Sequence, residues 1–294
     1  MLNREIGKHT LIHKQSVAFL GPAGTYSYIA AQEMFSSSDT HQVEYIAMPS
    51  IFEVFEKVKK GEANLGVVPV ENSIEGAVKD SMNLFLTESV IVLRQQVIEI
   101  DHCLLSTANS IEDIKIVKAH PQALGQCKIW LSKNLPEAGL VSTPSNVSPV
   151  SQPNEAIIAS KQVATLYNLN VLAESISDIK ENKTLFYLIT QNSNQLFKKE
   201  TIVSDVDQYI QKQGSATVLF LLEAVDKVGI LRDILTVFAD QSLSMSRIHS
   251  LPTGELGRYY FILDVKIDKN VEVLAKIYSD LEKMCSSVFV LGTI

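Results

Sequence analysis

Three short polar segments, each directly after an apolar run, carry the side chains best suited to chemistry on a small ligand. The first is Gly21-Pro22-Ala23-Gly24-Thr25-Tyr26-Ser27. It has no Lys-Ser/Thr pair of a phosphate-binding P-loop, and its glycines are not spaced GxGxxG, which argues against a nucleotide. It offers instead a helix N-terminus with unpaired N–H groups and the hydroxyls of Thr25 and Ser27, suited to a carboxylate or a phosphate. A plain strand-to-helix turn is the simpler account. The second segment, Glu71-Asn72-Ser73, sets a carboxylate, an amide and a hydroxyl at one strand end. It reads either as a hydrogen-bonding constellation or as a capped turn with a solvated glutamate. The third holds His120, Gln122 and Gln126. The glutamines are four apart and share a helix face, with His120 at its mouth as a cap or a general base. Thr184, entering the apolar run Leu185-Phe186-Tyr187, is by itself an ordinary strand threonine. No His/Cys/carboxylate group has the spacing of a zinc or iron site, and there is no nucleophile-elbow signature.

The elements that must position these groups alternate between strand and helix patterns. Ser16–Leu20 reads as a buried strand, and Ala30, Ala31, Met34 and Phe35 give the helical stripe after it. Ser50 and Glu53 form a capping box before Ile51, Val54, Phe55 and Val58, and Gly61 ends that helix. Leu65–Val70 is a buried strand, Val90–Ser106 one or two strands, and Lys115–Ala119 a strand leading to Pro121 at a first helical position. This alternation predicts α/β layers with mainly parallel strands, in which ligands sit beyond the carboxyl ends of the strands. All three polar segments fall there. From Gln191 to Gly214 the chain turns polar, as a linker plus a surface helix would. The remaining stretch reads strand 215–223, helix 229–241, strands 244–250 and 258–266, helix 271–284 and strand 287–291, the βαββαβ order of ferredoxin-like folds.

The 294 residues suit about two domains, with 46% hydrophobic and 20% charged side chains. A formal charge of −7 offers no overall attraction to nucleic acid or an anionic membrane. Cys103, Cys127 and Cys285 are odd in number and far apart, so a reducing cytoplasm is the expected setting. No targeting signal or membrane-length apolar run is evident.

Several ordered motifs resemble the prephenate dehydratase family: GPAGTYS at 21–27, PVENSIEG at 69–76, IDHCLL at 100–105, HPQALGQC at 120–127, AIIASKQVATLYNLNVL at 156–172 and NKTLF at 182–186. The resemblance implies an α/β fold: a two-lobed, type II periplasmic-binding-protein-like catalytic domain followed by a ferredoxin-like ACT domain. The expected boundaries are an N-terminal extension at 1–15, the catalytic domain at 16–192 with a crossover near 90–100, a linker at 193–213 and the ACT domain at 214–294. The implied reaction converts prephenate to phenylpyruvate with loss of water and carbon dioxide, in phenylalanine biosynthesis, with no metal or organic cofactor. The resemblance carries the catalytic role to Thr184, supported by Glu71, Asn72 and Gln126. Substrate binding falls to Thr25, Ser27, Ser73, His120, Gln122, Ser145, Asn182 and Phe186. It further implies L-phenylalanine as effector, at Gly229, Ile230, Leu231, His249, Ser250, Leu251 and Pro252, and a homodimer or homotetramer.

This chain departs from the family pattern at four places. Leu185 stands where the threonine motif has arginine, with Lys180 and Lys183 as candidate replacement cations. Ala119 replaces a serine before the His-Pro pair. Ser145-Asn146-Val147 stands for Ser-Thr-Ala, and His249-Ser250-Leu251-Pro252 for Glu-Ser-Arg-Pro. A reading from another class is a weakly active or inactive paralogue that binds or senses a small carboxylate or amino acid. The same chemistry on arogenate is a third.

Overall fold

The computed structural model describes residues 15–36, 43–192, 199–268 and 271–294. The expected N-terminal extension, apart from Gln15, and the first residues of the expected linker lie outside the described residues. Along the chain, β1 (Gln15–Leu20), α1 (Tyr26–Phe35), β2 (Val43–Met48), α2 (Ile51–Lys59), β3 (Leu65–Asn72) and β4 (Gly76–Ala77) come first. They are followed by α3 (Lys79–Thr87), β5 (Val90–Glu99), β6 (Cys103–Ser106), β7 (Ile116–Ala119), α4 (Pro121–Gln126) and α5 (Lys128–Asn134). Next are β8 (Gly139–Ser142), β9 (Glu155–Ala159), α6 (Lys161–Tyr167), β10 (Asn170–Ala173), β11 (Lys183–Gln191) and α7 (Lys199–Gln213). The last are β12 (Ala216–Val225), α8 (Ile230–Ala239), β13 (Ser244–Pro252), β14 (Arg258–Ile267), α9 (Glu272–Glu282) and β15 (Ser287–Thr293).

The chain divides into two units, and it passes between them after Val67, Val97 and Lys183, as well as around residues 58–60. In the first unit, β1 pairs in parallel with β2 and with the Leu65–Val67 part of β3. A second sheet there runs β10-β6-β9-β7-β8. The period of two along its strands separates two cores. Leu104, Val117, Ala119, Ala156 and Ile158 face α4 and α5, while Cys103, Leu105, Ile157 and Ala159 face Val163 and Ala164 of α6. Pairings β7–β8 and β7–β9 are parallel as the sequence predicts, whereas β6 runs antiparallel to both β9 and β10.

In the second unit the strands lie in the order β13-β14-β12-β15-β5-β11-β3, with β4 paired to β3. Its C-terminal part has the βαββαβ order. Alternate residues of β12, β14 and β15, among them Phe220, Leu222, Leu263, Val265 and Val290, bury against Ile234, Phe238, Leu274, Ile277 and Leu281 of α8 and α9. The opposite face of these strands carries Leu219, Leu221, Ile262 and Asp264, which are also buried. Among the described residues no helix is long and apolar enough to cross a membrane.

Candidate active site

In the second unit, Thr184 and Asn72 are both buried, at 8% and 6% exposure. Asn72 Nδ2 donates to Thr184 Oγ1 at 2.9 Å. The orientation of that amide is set by its other end, because Asn72 Oδ1 accepts from the backbone N–H groups of Ile74 and Glu75 at 3.0 and 3.1 Å. With the oxygen fixed in the turn, nitrogen must face Thr184. The threonine hydroxyl accepts in this bond and keeps its own proton to give.

Glu71 is not part of this pair. The expected cluster of Glu71, Asn72 and Ser73 at a strand end gives way to a strand that continues through Asn72, because β4 folds back and pairs Ala77 with Glu71 and Gly76 with Asn72. Successive residues of a strand face opposite sides. Asn72 therefore turns to Thr184, and Glu71 turns the other way, its Oε2 at 2.6 Å from Arg247 Nε. Ser73 is exposed. The same alternation on β11 puts Phe186 on the side of Thr184, and Leu185 with Tyr187 on the side of Arg247. Leu185 thus takes no group away from the face that holds Thr184. Neither lysine proposed as its substitute stands out as one. Lys183 lies 3.6 Å from Glu99, and Lys180 donates to the Ser175 carbonyl.

Arg247 is the centre of a half-buried polar group. Its Nη1 donates to Asp264 Oδ2 and to Tyr187 Oη, each at 2.7 Å, and Tyr187 donates in turn to Asp264 Oδ2 at 3.0 Å. Phe85 of α3 packs edge-on against the Tyr187 ring. Burial pushes the Tyr187 phenol and the Asp264 carboxyl upward, although Arg247 opposes both shifts. Burial alone would lower Arg247, but Tyr187, Asp264 and Glu71 outweigh it and hold the guanidinium charged. His249 Nε2 stands 3.9 Å from Glu71 Oε2, and burial lowers its pKa.

The first unit holds a separate network. Asn182 Nδ2 donates to Gln126 Oε1 at 3.1 Å, and His102 Nε2 lies 3.1 Å from the same oxygen. An acceptor at Gln126 requires the imidazole proton on Nε2, so Nδ1 faces Tyr26 Oη, 3.2 Å away, as an acceptor. The single Tyr26 proton is shared between this nitrogen and the Asp101 carbonyl, the nearer acceptor at 2.7 Å. Burial lowers the His102 pKa and raises that of Tyr26, so both stay neutral. His102 and Tyr26 lie inside quoted motifs but were assigned no role by sequence; a histidine opening an apolar strand was the available signal.

The other expected binding residues of this unit serve local structure. Thr25 caps α1, accepting from Tyr28 N at 3.3 Å and donating to the Leu20 carbonyl at 2.8 Å, and Ser27 is buried in the first turn. His120 caps α4 through Nδ1, which accepts from Gln122 N at 3.3 Å, while the Gln122 side chain is exposed. The backbone N–H of His120 donates to Asn146 Oδ1 at 3.0 Å, so the unusual asparagine secures the histidine turn. Ser145 accepts from Val147 N and orders its own loop.

Of the expected effector residues, Gly229 precedes α8 with φ 86°, a left-handed conformation that favours glycine, and Ile230 and Leu231 open the helix. His249–Pro252 lie on edge strand β13. His249 pairs with Ile262 and so faces Glu71, on the side of the sheet away from α8. Ser250 and Pro252 take the other side. Among the described residues no group of three or more His, Cys, Asp or Glu is arranged to hold a metal ion.

A buried hydroxyl aligned by an amide, on an α/β scaffold with an appended βαββαβ unit, is the arrangement of a ligand-handling α/β domain carrying a small regulatory-type domain. The profile described as prephenate dehydratase matches residues 17–194, and one described as ACT domain matches residues 217–283. The chain belongs to the prephenate dehydratase family. Prephenate dehydratase of Methanocaldococcus jannaschii is 34% identical over 285 residues, covering 95% of this chain and 97% of that one. The bifunctional chorismate mutase/prephenate dehydratase of Aquifex aeolicus is 32% identical over 289 residues, covering 97% and 74%. Among solved structures, prephenate dehydratase of Arthrobacter aurescens in complex with L-Phe matches with a TM-score of 0.77 at 26% identity, covering 95% of this chain and 89% of that one.

Proposed function

We propose that the chain is a decarboxylating hydro-lyase that converts prephenate to phenylpyruvate. The observation that carries this reading is the Thr184–Asn72 pair, with the amide as donor and the threonine proton left to give. In the reaction the bond from C1 to its carboxylate breaks, its electron pair enters the ring, and the C4–O bond breaks. Carbon dioxide departs, and the C4 hydroxyl takes one proton and leaves as water. Aromatisation supplies the driving force and no electron sink is needed, so the protein must orient the substrate and deliver that proton. A threonine hydroxyl is a weak acid. The Asn72 N–H donated to its oxygen stabilises the charge that develops as the proton moves.

Gln126, which accepts from Asn182, is proposed as a catalytic support, and Asn182 as a polar substrate contact together with Thr25, Ser27, Ser73, His120, Gln122 and Ser145, with Phe186 as an apolar contact, on the strength of the motifs. Glu71 supports the reaction from the far side of β3. L-Phenylalanine is proposed as effector of an ACT domain spanning 214–294 in a homodimer or homotetramer, in the cytoplasm. Free Cys103, Cys127 and Cys285 fit that setting. The test is phenylpyruvate formation from prephenate by the purified chain, with and without phenylalanine. Turnover that Thr184→Val abolishes is the expected result; a folded chain without turnover would shift the assignment to a binding or sensing protein.

A further inference from the structure

We infer that Arg247 is a positioning residue for the reaction: one guanidinium grips both strands that carry the Asn72–Thr184 pair, from the face opposite the pair. The inference rests on the reading of Thr184 as proton donor. On β3 the gripped residue is Glu71, next to Asn72; on β11 it is Tyr187, three residues after Thr184. Strands β3 and β11 are neighbours in the sheet. Asp264 of β14 completes the hold by taking both Arg247 Nη1 and the Tyr187 proton. A planar fork can bond Glu71 through Nε while Nη1 serves Tyr187 and Asp264; a lysine ammonium, a point donor on a flexible stem, cannot reproduce that geometry.

The arrangement is costly as a mere stabiliser. The Arg247 and Asp264 side chains are 18% and 3% exposed, and Asp264 Oδ1 is buried without a hydrogen-bond partner. Replacing a buried ion pair by apolar residues is often neutral or stabilising, and fixing one geometry is the best-attested reason to keep it. The geometry at stake is the alignment of β3 with β11, which sets the 2.9 Å bond between Asn72 and Thr184. Arg247 belongs to β13, so an ACT strand becomes part of the support of the catalytic pair.

The experiment measures kcat and KM for prephenate, with thermal midpoints, in the full chain and in Arg247→Met, Arg247→Lys, Glu71→Gln and the Arg247→Met/Glu71→Gln double variant. Expected are a kcat at least tenfold lower in Arg247→Met with KM within threefold, partial recovery in Arg247→Lys, and a double variant no slower than the worse single one. Residues acting through one contact lose it once, whereas independent structural effects multiply. A folded Arg247→Met with kcat within twofold of the parent, or effects that multiply, overturns the inference while leaving the dehydratase reading intact. Should Arg247→Met not fold, the partly exposed Glu71→Gln decides on the same kcat criterion. Absence of turnover in the unaltered chain overturns the functional reading and this inference together.

Discussion

Glu71 and Asn72 are adjacent on β3 and serve opposite faces of it: Asn72 Nδ2 donates to Thr184 Oγ1 at 2.9 Å, and Glu71 Oε2 meets Arg247 Nε at 2.6 Å. The face with the hydroxyl donor and the face with the ion pair share one strand, so substitutions on the two faces should be distinguishable by their kinetics.

Thr184→Val removes the proton and keeps the shape. Loss of a positioned general acid lowers turnover by on the order of 10²–10⁴-fold. The expected outcome is a fall in kcat of that size with the far-UV spectrum and thermal midpoint preserved, and Thr184→Ser retaining most activity. A Thr184→Val enzyme within tenfold of the parent would remove Thr184 from the mechanism.

Asn72→Asp is the sharper test of orientation. Its Oδ1 can still accept from Ile74 and Glu75, so the turn survives. The other oxygen then accepts the Thr184 proton instead of donating to its oxygen, and the acid is turned away from substrate. We expect kcat to fall at least a hundredfold with KM changed little, as for an interaction made in the transition state. Equal losses in kcat and substrate affinity would instead make Asn72 a binding residue.

Leu185 gives the opposite signature. It is buried on the Tyr187 face of β11. Truncation to alanine should cost about 2–5 kcal/mol of stability, as core leucines do. Urea denaturation should show that loss, while kcat per folded molecule stays within threefold. A selective loss of kcat would place Leu185 at the chemistry after all.

What the sequence revealed and what it hid divide by range. The Ser50 cap, accepting from Glu53 N at 3.2 Å, and the His120 cap of Gln122 are bonds between residues two or three apart, and pattern alone exposes them. The βαββαβ order follows from periodicity and turn residues in the same way. The split of Glu71 from Asn72 was hidden because β4 draws the strand onward. Arg247 was hidden because its partners Tyr187 and Glu71 lie far along the chain, and a lone arginine on a strand of alternating exposure gives no sign of a buried network. The pairing of Thr184 with Asn72, 112 residues apart, was legible only through the family motifs.

Gly292 of β15 faces Val92 of β5 so closely that a Cβ there would run into the Val92 carbonyl oxygen. Backbone cannot give way as a side-chain tip can. Gly292→Ala should lower stability by about 1–3 kcal/mol, the usual cost of overpacking. Differential scanning calorimetry would register it as a lower midpoint, and Gly292→Val should be worse. An unchanged midpoint would mean that the β5–β15 contact is dispensable.

His102 sets an acid limit on stability. Burial lowers its pKa below the 6.5 of a free histidine, against smaller upward pulls from its bond to Gln126 and from Asp101. Tyr26 faces its other nitrogen. For a base held neutral in the fold, the unfolded chain binds the proton first as pH falls, so stability rises with pH between the folded and unfolded pKa values. The contribution of His102 is therefore fully present above about pH 6.5 and is lost on acidification, with a slope of at most about 1.4 kcal/mol per pH unit for one proton. His102→Gln keeps a donor toward Gln126 but does not titrate. The midpoint of the parent chain should fall relative to that of His102→Gln between pH 7 and pH 5.5. A difference that stays constant across this range would show that His102 takes up its proton equally in the folded and unfolded chain, so that burial does not hold it neutral; a midpoint that rises relative to His102→Gln on acidification would show that the fold favours the charged imidazole.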